Sequence, residues 1–157
     1  MDDWKHVFIC PKSNVTVEDM EAIISRAELK IGQRPFFVLV DYIGLVSGGA
    51  GKRYERLSTI AESLKVLART TNTVVIMSSQ VSRNPERIEI DLHAAKDSGS
   101  IENSAQLVIG AWRPAENKIM LKILKNTKRA GQPVVECWFD GHKQTIKECY
   151  HETPAKT

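Results

Sequence analysis

Cysteine is scarce in this chain: Cys10, Cys137 and Cys149 are odd in number and have no paired metal-ligand spacing. A disulfide scaffold is excluded and no zinc signature is present. Long apolar runs are missing too, since nothing approaches the roughly 20 residues of a membrane-spanning helix. The acidic start Met1-Asp2-Asp3 lacks the basic n-region and long h-region of a secretory signal. A cytoplasmic protein with no membrane contact is therefore expected, and Asn14-Val15-Thr16 reads as a turn into a helix rather than a glycosylation acceptor. There is no internal repeat and no interdomain linker. His6, His93, His142 and His151 pair with no serine or cysteine nucleophile at interpretable spacing. Charge of one sign is not dominant: a formal net charge of +3 permits nucleic-acid contact without demanding it.

What is present is an alternation of apolar strands with amphipathic helices. The chain is organised around residues 36–46, an apolar run interrupted by Asp41 and followed by the glycine-rich Ser47-Gly48-Gly49-Ala50-Gly51. β-Branched and aromatic residues without polar alternation predict a strand buried on both faces, as in a parallel sheet covered by helices. Before it, Val7-Phe8-Ile9-Cys10 predicts a short strand stopped by Pro11. Thr16 and Asp19 form a capping-box pattern that opens a helix with the apolar face Met20, Ile23, Ile24, Ala27 and Ile31, ended by Gly32. Residues 54–71 carry Leu57, Ile60, Ala61, Leu64, Leu67 and Ala68 at helical spacing. Buried strands are expected at 73–79, closing on Gln80, and at 106–112. Between them, 81–92 is a charged loop with Arg83 and Arg87, and Ser100 caps a helical turn at 101–103.

After Pro114 the pattern becomes antiparallel. Lys118, Lys122 and Lys125 stripe an apolar segment, read as an exposed edge strand that its lysines protect from edge-to-edge pairing. Residues 134–139, the turn signal Asp140-Gly141 and the short run 145–147 predict a hairpin. The expectation is one α/β domain over residues 1–150 with a parallel core and an antiparallel extension, and a frayed tail over 151–157. Right-handed crossovers place Asp41, Gln80 and the end of the first strand along one rim. A carboxylate beside an amide there suits Mg²⁺–phosphate chemistry: the acid holds the metal's water and the amide senses a phosphate. The same residues also fit a plain loop-capping acid and a loop-satisfying amide.

Three segments, residues 38–45 around Asp41, 74–83 around Gln80, and Asp97-Ser98-Gly99-Ser100-Ile101-Glu102-Asn103-Ser104-Ala105, resemble consecutive signatures of DnaB-type replicative DNA helicases, which are RecA-like ATPases. The similarity runs from about residue 16 to 145. It implies a RecA-like, mostly parallel sheet with helices on both faces. It also implies Asp41 as the Walker B acid, holding Mg²⁺ only when nucleotide binds, and Gln80 as the sensor. Loops 47–53 and 81–92 would face a central channel, with Lys52, Arg53, Arg83 and Arg87 toward single-stranded DNA phosphates. Lys125, Lys128 and Arg129 lie where the family carries a basic finger that reaches a neighbouring subunit's nucleotide, although their spacing differs from the family's.

The family uses ATP and Mg²⁺, and its Gly-x-x-x-x-Gly-Lys-Ser/Thr phosphate loop precedes the helix that Thr16 opens here. Only fifteen residues precede Thr16, and they hold neither that loop nor the family's catalytic glutamate. The segment Gly48-Gly49-Ala50-Gly51-Lys52-Arg53 does not replace it, because Val46 stands at the first glycine position and Arg53 at the metal-binding hydroxyl. The resemblance thus implies a RecA fold missing its P-loop strand and helix, needing no cofactor alone and inactive as an ATPase by itself. The first expectation is a nucleic-acid- or protein-binding module. The alternatives are an ATPase half completed by a P-loop from another chain, such as a helicase subunit, and a relict fold without activity. Without the P-loop strand, 106–112 is expected to pair directly with 73–79. A homodimer is expected to cover the sheet face left open.

Overall fold

The structure, a computed structural model, describes residues 5–80, 90 and 98–149. These fall into two compact units, one within Met1–Val81 and Asp97–Ala105, the other within Ser82–Lys96 and Gln106–Thr157.

In the first unit, α1 (Val17–Ile31) starts at the expected capping box: Thr16 Oγ1 accepts the Asp19 N–H and the Asp19 carboxylate accepts the Thr16 N–H. That backbone hydrogen bond, followed by the nearby Lys12 ammonium, holds the Asp19 carboxyl below the usual carboxylate range. Gly32 ends the helix in the left-handed region at φ 81°, returning its N–H to the Glu28 carbonyl. α2 (Arg53–Thr71) buries Leu57, Ile60, Ala61, Leu64 and Leu67, the predicted stripe. Its last turn also buries Thr71, whose hydroxyl bonds the Leu67 carbonyl and the Thr73 hydroxyl. α3 (Ser98–Ser104) extends the predicted turn at 101–103 and packs Ile101 on the core.

β1 (Phe37–Val40) and β2 (Val74–Met77) pair in parallel, with Val40 level with Met77. Three expectations change here. Residues 7–10 form no strand, and Val7 and Ile9 are exposed. The run 36–46 is not one strand: it leaves the sheet at Asp41 and turns through a 3₁₀ segment, Ile43–Leu45. That segment drives Ile43 and Val46 into the core, and the Ser47 N–H closes on the Val15 carbonyl. The strands are not buried on both faces either. Val38, Val40, Val75 and Met77 pack on α1 and α2, while Phe37, Leu39, Val74 and Ile76 face outward and are exposed.

The second unit is an antiparallel meander in the order β3 (Leu107–Ala115), β4 (Lys118–Asn126), β5 (Val134–Asp140) and β6 (Thr145–Glu148). The predicted direct pairing of 106–112 with 73–79 does not form, because β3 pairs with β4 and belongs to a separate sheet. Its neighbour in sequence is one tight turn away, so that contact closes at far less chain entropy than a pairing with β2. β4 is consequently an interior strand and not the expected edge. Its Lys118 meets Glu136 across the β4–β5 pair at 2.7 Å. That carboxylate holds the ammonium above the usual lysine range. The β5–β6 hairpin forms as read, with the Asp140 carboxylate accepting the His142 and Lys143 N–H groups in the turn. Cys137 is buried, which pushes its thiol up, and the described cysteines are free. Among the described residues, no helix is long and apolar enough to cross a membrane.

Candidate functional site

The parallel pairing of β1 and β2 sets their carboxyl ends side by side, and Asp41 and Ser78 are the first residues beyond them. Ser78 closes this junction three ways. Its N–H donates to the Val40 carbonyl at 3.1 Å, its carbonyl accepts the Ile43 N–H at 3.1 Å, and its hydroxyl donates to Asp41 Oδ1 at 2.6 Å. The Asp41–Tyr42 peptide is cis. Asp41 is exposed rather than buried at the end of a covered strand, because the outer face of the sheet is open there. The Ser78 hydroxyl is the donor that orients it. Gln80 is also exposed, two residues beyond Ser78 on the same rim.

Sequence reasoning placed Asp41 and Gln80 on one rim and missed Ser78, the residue that touches the acid. The signal was available: Ser78 is the first polar residue after the 74–77 apolar run, as Asp41 is after 37–40. In a parallel pair with matched strand lengths, those two positions fall level.

The glycine-rich loop leads from Ser47 into α2. Gly48, Gly49 and Gly51 all have positive φ, at 104°, 73° and 89°. Gly49 is required twice, because a Cβ there would press on the backbone of Arg56 at 3.1 Å. Lys52 is the N-cap residue of α2, and its N–H donates to Glu55 Oε2 at 2.9 Å. A lysine side chain has no acceptor, so it returns no capping bond; the first turn is closed by the carboxylate alone. That carboxylate also fills the space where a Cβ on Gly51 would lie. An anion at the start of α2 would meet an acid already on the helix's positive end.

Nucleotide and Mg²⁺, which the resemblance implies, find a poor fit in this geometry. Asp41 supplies one carboxylate, and no group of three His, Cys, Asp or Glu converges among the described residues. A small cavity between the start of α1, the glycine loop and α2, lined by Glu18, Ser47, Gly48, Thr59 and Ser63, measures about 50 Å³. That is room for a few waters.

Lys52 and Arg53 sit together, exposed, at the start of α2. Arg83 and Arg87, with most of loop 81–92, lie outside the described residues. The predicted finger residues all belong to the second unit. Lys125 is on β4 opposite Val108, the Lys128 N–H is held by the Asn126 side chain, and Arg129 is exposed in the following loop.

Comparisons with known proteins agree on one family. The Replicative DNA helicase DnaB of Leifsonia xyli subsp. xyli (strain CTCB07) is 28% identical over 151 residues, covering 92% of this chain and 31% of that protein. The Replicative DNA helicase DnaB of Treponema pallidum (strain Nichols) is 31% identical over 135 residues, covering 85% and 30%. A solved structure, described as a DnaB-like replicative helicase and its interactions with primase, shares the fold with a TM-score of 0.79 at 22% identity. It covers 88% of this chain, which covers 37% of it. This chain thus spans about a third of the length of these relatives. The family described as the DnaB-like helicase C terminal domain matches residues 2–151, so this chain belongs to it.

Proposed function

We propose that these 157 residues form a replicative-helicase-type module, cytoplasmic and homo-oligomeric, that binds nucleic acid and protein partners without turning over ATP by itself. The observation that carries this reading is the rim itself. Among the described residues Asp41, oriented by Ser78, belongs to no group of three potential metal ligands, and the start of α2 is closed by Glu55. Phosphoryl transfer is positioning and charge stabilisation, and one acid with one amide supplies little of either. The purified chain is expected to hydrolyse no ATP and to bind ATP–Mg²⁺ no tighter than about millimolar by calorimetry. Hydrolysis that disappears in Asp41→Ala would overturn the reading.

In the same proposal, Lys52, Arg53, Arg83 and Arg87 contact single-stranded DNA, and Lys125, Lys128 and Arg129 reach a neighbouring subunit. Phosphate contacts carry no sequence information, so binding is weak, indifferent to sequence and salt-sensitive. The Arg83→Ala, Arg87→Ala double variant is expected to lower the log–log salt slope by about 1.4 for a single strand. An unchanged slope in fluorescence anisotropy would remove these two residues from the interface. A protein partner accords with the neighbour whose description includes primase.

A second reading, an ATPase half completed by another chain, is favoured by one feature. The β2 edge that leads to Gln80 and faces away from β1 has no strand partner among the described residues. Hydrolysis arising only after addition of a P-loop-bearing helicase subunit would establish it.

A further inference from the structure

We draw no further inference here: the strongest candidate, the surface patch on the meander where Trp138 of β5 stands between Lys118 of β4 and Lys147 of β6, carries nothing, because Glu136 and Asp140 share that face, Lys118 is already paired with Glu136, and nothing in the structure shows what would lie against the ring.

Discussion

Ile43→Ala is expected to cost about 3–4 kcal/mol, the range for truncating a fully buried aliphatic side chain. Ile43 is 1% exposed, the most buried large side chain among the described residues, although it lies in the short 3₁₀ segment outside the strands and α-helices. It is the anchor that turns the chain after Asp41 into the core, while its N–H holds the Ser78 carbonyl. Truncation leaves a cavity among Val40, Val46 and the α1 and α2 side chains, which are themselves fixed by helix geometry and collapse only partly. In a unit of this size the melting temperature should fall by roughly 12–30 °C. Ile43→Val, which removes one methyl, should cost about 1 kcal/mol. A melting curve for Ile43→Ala within 2 °C of wild type would show that the 3₁₀ segment does not anchor the rim.

Leu124→Ala should have an effect of similar size, about 3 kcal/mol, read in the amide protection of β3–β6. The second unit has little core to spare: Leu124 at 6% and Cys137 at 4% are its buried apolar side chains among the described residues. Leu124 lies where β3 makes room for it. A Cβ on Gly110 would stand 2.9 Å from Leu124 Cδ1 and 3.3 Å from Ile90 Cγ2, so the bare glycine backbone is the floor of that contact. Protection factors unchanged in Leu124→Ala would show that the cross-strand bonds, not this side chain, hold the meander.

Legibility in the sequence followed the range of the interactions. The Thr16–Asp19 cap, the Leu57–Leu67 stripe and the Asp140 turn are written within a few residues, and each appears where read. The apolar runs at 36–46 and 106–112 were harder, because hydrophobicity reports that a strand is apolar, not how many neighbours it has. The first is cut short by a four-residue partner, and the second chooses its neighbour across a tight turn over a distant parallel one. Beyond the strand ends, the positions of Asp41 and Gln80 were legible because polar residues ending apolar runs stand out. Ser78 carries the same signal, but its partner follows from strand register, and Glu55 acts only because its carboxylate reaches back to a helix start.

The two sheets also differ in when they can form. Every pairing in the β3–β6 meander joins neighbours in sequence, and hairpins of this kind close in about 1–10 μs. The β1–β2 pair must wait for a crossover through the whole of α2. Its closure carries the entropy of the longer loop and is correspondingly slower. Asp41 and Ser78 straddle that late pairing, one on each side. The hydrogen bond between them therefore forms only once the parallel pair has closed, and the orientation of the rim carboxylate reports that closure.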